Sequence, residues 1–453
     1  MIAAKNRRHE RHGIRMALKV LKFGGSSLAD AKQFRRVADI VCAEDSRRYV
    51  VPSAPGKRFS GDDKVTDLLY QCYEASRLGE SIDGIFAKIE ERYRDIVKEL
   101  GLTVSLDSEF ERIRTSIKHL PGRDYIASRG EYLNGILLAN YLKYDFIDAA
   151  KVIFFYDNGK FDAEKTNEVL SSVLKRHPRA VIPGFYGSMP NGTIKTFSRG
   201  GSDITGAIVA RAAEADIYEN WTDVSGFLMA DPRCVENPGV IDVITYTELR
   251  ELSYMGATVL HDESIFPVRI AGIPINIRNT NDPSAPGTMI VPKPDRDDTP
   301  NPITGVAGKT GFSIISIEKD MMSVELGFGR RVLEALEMHG VSFEHLPSGI
   351  DTLSVVVSTK ELEGKRDSVI VDIMRMTRPD NLHIEDGIAL IAVVGRGMVK
   401  TKGSAARVFK ALSDASVNIR IIDQGSSELN IILGVEEKDY LPALRAIYKE
   451  FMG

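Results

Sequence analysis

At 453 residues the chain can bury a sizeable core, and its length suggests about three domains. A content of 43% hydrophobic and 27% charged residues excludes a disordered chain, and no apolar run approaches the roughly 20 residues needed to span a bilayer. A formal net charge of -4 gives no global attraction to nucleic acid, so recognition of an anion has to be local.

The first fifteen residues are basic, with Lys5, Arg7, Arg8, Arg11 and Arg15, but no apolar signal-peptide core follows. Residues 1–17 therefore read as a disordered tail or the result of an early start site, ahead of Met16. The cysteines Cys42, Cys72 and Cys234 are widely spaced and form neither a zinc pattern nor a disulfide framework, which fits a reducing, cytoplasmic setting.

From Leu18 to about Val291, strand-like apolar runs alternate with longer amphipathic segments, as in a three-layer α/β domain. The first run leads into Lys22-Phe23-Gly24-Gly25-Ser26-Ser27, where the glycine pair permits a tight turn before a helical segment near Asp30. Amides at such a turn suit a polyphosphate, with Lys22 reaching the transferred group; alone, the stretch is an ordinary strand-to-helix turn. Val50–Gly56 reads as a strand entering a loop, residues 64–100 as two helices and Ile126–Leu142 as another. Lys151–Tyr156, Ala180–Pro183 and Ile217–Trp221 are strand candidates.

Ser198-Arg199-Gly200-Gly201-Ser202-Asp203 forms a second glycine turn, opening an Ala-rich helix; it reads equally as a helix capped by Ser202 or Asp203. Glu131, in Ser128-Arg129-Gly130-Glu131, reads alone as a first-turn helix acid. Asp223 and Asp231-Pro232-Arg233 read alone as turns. A proline-interrupted linker at 292–311 then separates a duplicated pattern of strand, helix, strand, strand and helix, at 312–384 and 388–453. Its members are Ser313–Glu318, Arg330–His339, Ser342–Leu346, Thr352–Ser358 and Lys365–Met376, then Ala389–Val394, Ser404–Ala415, Asn418–Ile422, Leu429–Val435 and Tyr440–Phe451.

Taken in order, KFGGSS, SAPGKR, SRGE, FSRGGSD, WTDVSGFLMADPR and GATVLH resemble aspartate kinase of the amino-acid kinase superfamily, over Leu18 to Phe451. The tandem C-terminal modules resemble paired ferredoxin-like ACT domains. The resemblance implies ATP- and Mg2+-dependent phosphorylation of the L-aspartate side chain, the first step of lysine, threonine and methionine biosynthesis. A carboxylate with a reference pKa of about 3.9 needs no general base, so His261 is read as structural. By resemblance, Lys22 stabilises the transferred phosphoryl group and Asp203 holds Lys22. Gly24, Gly25 and Ser26 face phosphate, and Thr222, Asp223, Asp231 and Arg233 line the nucleotide side. Arg199 grips the substrate α-carboxylate, Glu131 pairs with its ammonium and Thr66 orients it; no protein metal ligand is assigned.

Thr258 departs from the pattern, standing where many relatives carry lysine. Either another cation, Lys57 or Arg58, takes that role, or nucleotide binding is weaker. In the modules, the amides at Glu325–Arg330 and at Gly395-Arg396-Gly397-Met398 can bind an amino-acid carboxylate. The resemblance implies a homodimer through the ACT modules and feedback by lysine first, threonine second, without nucleic acid or membrane. The rival reading is an amino-acid sensor with an impaired kinase domain, Thr258 being its one hint. Ending at Gly453, the chain leaves no room for a fused dehydrogenase.

Overall fold

The computed structural model describes residues 17–198, 200–256, 260, 262–294 and 301–453. The described residues up to 226, with those of 260–292, form one compact unit, and the described residues of 227–259 and 293–453 form a second. Residues 227–259, inside the stretch expected to be catalytic, thus cluster with the C-terminal half.

The strands, in chain order, are β1 (Lys19–Phe23), β2 (Arg47–Pro52), β3 (Asp145–Phe146), β4 (Ala180–Val181), β5 (Tyr186–Ser188), β6 (Ile194–Thr196), β7 (Ile217–Thr222), β8 (Val243–Thr245), β9 (Ile275–Asn279) and β10 (Thr288–Val291). In the first unit they run β3-β4-β2-β1-β7-β9-β10, parallel except for β10 against β9. Val20, Leu21 and Phe23 of β1 are fully buried, as expected for a central strand covered on both faces. Asp30 caps the Ala31–Cys42 helix by accepting from the Gln33 amide. The Arg123–Leu142 helix is buried along most of its length, and Ser128, Arg129, Glu131 and Asn134 are buried with its apolar residues. Lys151–Tyr156 is not a regular strand. It forms a short 3-10 turn at Ala149–Lys151 and isolated bridges of Phe154 to Ser188 and Phe155 to Phe161.

The second unit holds β11 (Gly305–Glu318), β12 (Phe343–His345), β13 (Thr352–Ser358), β14 (Asn381–Val394), β15 (Ile421–Asp423) and β16 (Asn430–Glu436). They form a six-stranded antiparallel sheet in the order β12-β13-β11-β14-β16-β15. The two long strands, β11 and β14, each serve both modules. Phe312–Glu318 pairs with β13 and with the first half of β14, completing the first module. Gly305–Lys309 pairs with Val394–Leu390, whose other side pairs with β16, so it is the edge strand of the second module.

Each module therefore has a sixth element that the sequence pattern lacked. Residues 305–311, expected in the linker, are strand because Val306 and Ala307 are buried, with Val306 in the core beneath Val408, Leu433 and Leu444. Residues 385–387, left between the two modules by the sequence pattern, continue the strand that residues 381–384 begin in the first module. The Phe328–Met338 and Arg366–Thr377 helices cover the first module, and Ser404–Asp414 and Tyr440–Met452 the second.

Candidate active site

In the first unit the chain leaves β1 toward β2 and leaves β7 toward β9, on opposite sides, and in an open parallel sheet ligands bind at the carboxyl ends of the strands at such a switch point, the crevice end. Lys22 lies there in register with Asn220 of β7. The Lys22 Nζ is 2.6 Å from Asp203 Oδ1 and donates to Asn220 Oδ1 at 3.4 Å. Asn220 Nδ2 donates to the same Asp203 oxygen at 2.8 Å, closing a triangle. Lys22 is only 8% exposed, so a paired anion is what keeps its charge tolerable. Asn220 was not among the residues expected here. Its only signal was an amide beside Glu219 in the strand Ile217–Thr222, a position type where asparagine is depleted.

Asp203 is held at that point by the second glycine turn. Gly200, at φ 54°, starts the Gly201–Ala212 helix with no side-chain cap, and Asp203 sits in the first turn. The capping role expected of Ser202 or Asp203 is therefore corrected: the Asp203 carboxylate is spent on Lys22 and Asn220. A Cβ on Gly201 would lie 2.3 Å from the Phe185 ring, so this helix start packs as only glycine allows.

At the first turn neither Gly24 nor Gly25 has a positive φ. What Gly25 provides is closeness, since a Cβ there would lie 2.9 Å from Ala54 O and 3.2 Å from Gly56 N. The Gly24 amide donates to Trp221 O at 3.0 Å. Among the described residues the Gly25 and Ser26 amides meet no backbone carbonyl, and Ser26 is exposed at the head of the Ser26–Leu28 turn. These amides are free to face an anion.

Glu131 is the ninth residue of the Arg123–Leu142 helix rather than a first-turn acid. Gly130 brings it under Ala54, because a Cβ on Gly130 would touch the Ala54 Cβ at 2.7 Å and also Val65 and Leu69. Burial pushes the Glu131 carboxyl up to about 8, against amide donation from Ala54 and Glu131 and the charge of Arg129, which lower it. Among the described residues its buried Oε2 has no hydrogen-bond partner. Such an oxygen wants a donor, and a ligand ammonium would supply one. Thr66 is half-buried in the first turn of the adjoining Val65–Arg77 helix.

Thr222 ends β7 and donates to Asp223 Oδ1 at 3.2 Å, both at the crevice end of that strand. Asp231 and Arg233 belong to the second unit and pair with each other at 2.6 Å. Arg199, Thr258 and His261 lie outside the described residues. In the second module the Arg396 amide is already taken: it donates to Glu248 Oε1 at 2.9 Å. Arg396 Nη1 reaches both Glu248 oxygens, at 3.2 and 2.9 Å, and Thr304 Oγ1 donates to Oε1 at 2.6 Å. Burial raises the Glu248 carboxyl, but donation from Thr304, Arg396 and Thr245 outweighs it and holds the group below its ordinary value. The amide expected to take an effector carboxylate there takes one from the chain itself. At the matching turn of the first module, Glu325 instead pairs with Lys319 and Arg331, while Leu326 is 94% exposed.

Residues 17–279 match the amino acid kinase family, and residues 391–451 match an ACT domain. Aspartokinase 3 of Bacillus subtilis is 41% identical over 452 residues, covering 96% of this chain and 98% of that protein. The chain belongs to the aspartokinase branch of the amino acid kinase family. Among solved aspartokinases, the Clostridium acetobutylicum enzyme superposes with a TM-score of 0.91 at 53% identity, over 96% of this chain and all of its own. Aspartokinase III of E. coli, in complex with aspartate and ADP in its R-state, superposes at 0.73 with 27% identity over 96% of this chain and 100% of its own. Its T-state complex with lysine and aspartate gives 0.69 at 26% identity over the same shares.

Proposed function

We propose that the chain transfers the γ-phosphoryl group of ATP to the side-chain carboxylate of L-aspartate, giving 4-phospho-L-aspartate and ADP. The observation that carries this is the Lys22–Asp203–Asn220 triangle, which ties both glycine turns to one cation at the crevice end of the central strands. The substrate carboxylate attacks the γ-phosphorus in line as the bond to the β,γ-bridging oxygen breaks. The attacking group is ionised at neutral pH, so the work is electrostatic. Lys22 offsets charge on the transferred group, Asp203 and Asn220 hold Lys22, and Gly24, Gly25 and Ser26 line the phosphates. Glu131 would take the aspartate ammonium and Arg199 its α-carboxylate, with Thr66 orienting it. Thr222 and Asp223 would border the nucleotide.

No group of three or more His, Cys, Asp or Glu side chains among the described residues forms a metal cage. Mg2+ would then arrive with the nucleotide, bound chiefly by phosphates and water. When bound, Mg2+ neutralises phosphate charge.

The paired ACT modules support feedback control, with lysine the first candidate effector and threonine the second; aspartokinase III of E. coli binds lysine in its T-state complex. Exposed apolar side chains on the first module, Met321, Val324, Leu326 and Ile350, support a homodimer through these modules. Among the described residues no helix is long and apolar enough to cross a membrane, and a cytoplasmic enzyme is the reading we adopt. A coupled ADP-release assay with L-aspartate, run with lysine, threonine and both, tests the proposal. Turnover with another small carboxylate but not with aspartate rejects the specificity, and indifference to both amino acids rejects the feedback.

A further inference from the structure

The SAPGKR loop carries two adjacent cations, and the fold treats them differently. Gly56 lies back to back with Gly25: its N–H donates to Gly25 O at 2.8 Å, and a Cβ on Gly56 would lie 2.6 Å from the Gly25 carbonyl carbon. The loop backbone is pressed onto the phosphate turn with no room for a side chain between them. Arg58 is engaged through one edge of its guanidinium and its backbone in holding the loop's shape. Its Nε and Nη2 donate to the two oxygens of Asp62 at 2.9 Å each, and its backbone N–H donates to Asp62 Oδ2 at 2.9 Å. Those hydrogen bonds hold the Asp62 carboxyl far below the usual carboxylate range.

Asp62 also accepts from Arg92 Nη2 at 2.6 Å, and Arg92 comes from a different element, the Asp83–Leu100 helix. Arg92 is 5% exposed, and its guanidinium further donates to Gly56 O at 2.9 Å and to Asp63 O at 3.3 Å. One buried guanidinium therefore fastens both ends of the loop, at Gly56 and at Asp62-Asp63. Lys57, between Gly56 and Arg58, is exposed and has no hydrogen bond or ion pair among the described residues. Three charged groups thus fix the loop, while Lys57, next in the chain to the Gly56 that packs on the Gly25–Ser26 turn, stays unpaired among the described residues. Preorganised charge of this kind serves an anionic ligand without reorganising when that ligand arrives.

We infer that Lys57 contacts the nucleotide phosphates, and that Arg92 is a positioning residue that holds Lys57 at the phosphate turn through Gly56 and Asp62. Arg58 does not share that contact, because its guanidinium is committed to Asp62. The inference rests on the ATP-dependent reading above, and nucleotide binding tests it independently of the acceptor.

The test compares the full-length wild type with Lys57→Ala, Lys57→Arg, Arg92→Gln and the Lys57→Ala/Arg92→Gln pair. It measures calorimetric affinity for MgADP and, in the aspartate assay, KM for MgATP against KM for aspartate. Loss of a charge-assisted contact should weaken MgADP and raise KM for MgATP about tenfold or more in Lys57→Ala, leave KM for aspartate within about twofold, and be largely restored by Lys57→Arg. Arg92→Gln should shift the same nucleotide constants and add little on top of Lys57→Ala, because it acts through that lysine. Should Arg92→Gln fail to fold, Asp62→Asn replaces it in the cycle. Unchanged nucleotide constants in Lys57→Ala overturn the contact, and fully multiplicative effects in the pair overturn the positioning role. Failure of the wild type to use aspartate would reject the acceptor while leaving the MgADP comparison to decide on Lys57.

Discussion

Lys22 is a buried cation with two partners, and the partners are unequal. Removing Asp203 leaves an uncompensated charge, whereas removing Asn220 leaves the ion pair but loosens its direction. Asn220→Ala should therefore fold normally by circular dichroism and lose part of kcat. Lys22→Ala should lose about 100-fold or more, the scale of a group aimed at transition-state charge.

Glu131 makes a second prediction at this scale. Its folded carboxyl, near 8, lies above the ordinary 4.5, so its contribution to stability is present below 4.5 and is lost as pH rises through about 8. Glu131→Gln should flatten the alkaline fall in Tm. An ammonium beside Glu131 reverses the preference and expels the proton. Calorimetry of aspartate binding at neutral pH in buffers of different ionisation enthalpy should show proton release that fades above pH 8 and vanishes in Glu131→Gln. That variant should also raise KM for aspartate at least about tenfold.

These residues were unequally legible from sequence. Glycine turns flagged Lys22 and Asp203 because backbone constraint leaves a mark in composition. Asn220 left only one out-of-place amide, and the burial of Glu131 depends on Gly130 meeting Ala54, a contact between distant segments that no local pattern encodes.

At the scale of elements, the two modules are alike in outline and differ at their matching turns. Gly395-Arg396 begins the short turn after β14, and its amide and side chain close around Glu248 of the Tyr246–Tyr254 helix. Glu248 also completes a capping box with Thr245, so the carboxylate is fixed from its own helix as well. An amino-acid effector would have to displace a fully buried carboxylate that accepts six hydrogen bonds there. We expect one effector bound per chain by equilibrium dialysis, with Glu248→Gln lowering thermal stability and leaving that stoichiometry unchanged. Two effectors per chain in the wild type would contradict this. The sequence drew the modules as equals because repeats report shared folding constraints, while the occupant of a turn comes from a segment about 150 residues away.

At the scale of the whole molecule, the second module is closed by residues that precede the first. Gly305–Lys309 lies on β14 before the chain enters the first module at Phe312, which makes that module an insertion between an edge strand and its partner. The duplicated pattern was legible, but its boundary was not. A proline-rich approach hides the onset of β11, and strand periodicity cannot say which distant strand will be the neighbour. Residues 388–453 alone would lack the edge strand and expose Ile391 and Val393. That fragment should be aggregated or poorly dispersed by NMR, whereas residues 301–453 should give one cooperative unfolding transition.

The same arrangement sets a timetable for synthesis. Apart from the Val306 N–H bond to Met229 O, Gly305–Lys309 leaves the ribosome with no strand to pair with until β14 follows roughly eighty residues later, about 4–16 s at about 5–20 residues per second. During that interval an apolar strand edge waits on a tethered chain. A short, glycine-flanked strand, Gly305-Val306-Ala307-Gly308, is less prone than a longer run of β-branched residues to find the wrong neighbour in the meantime.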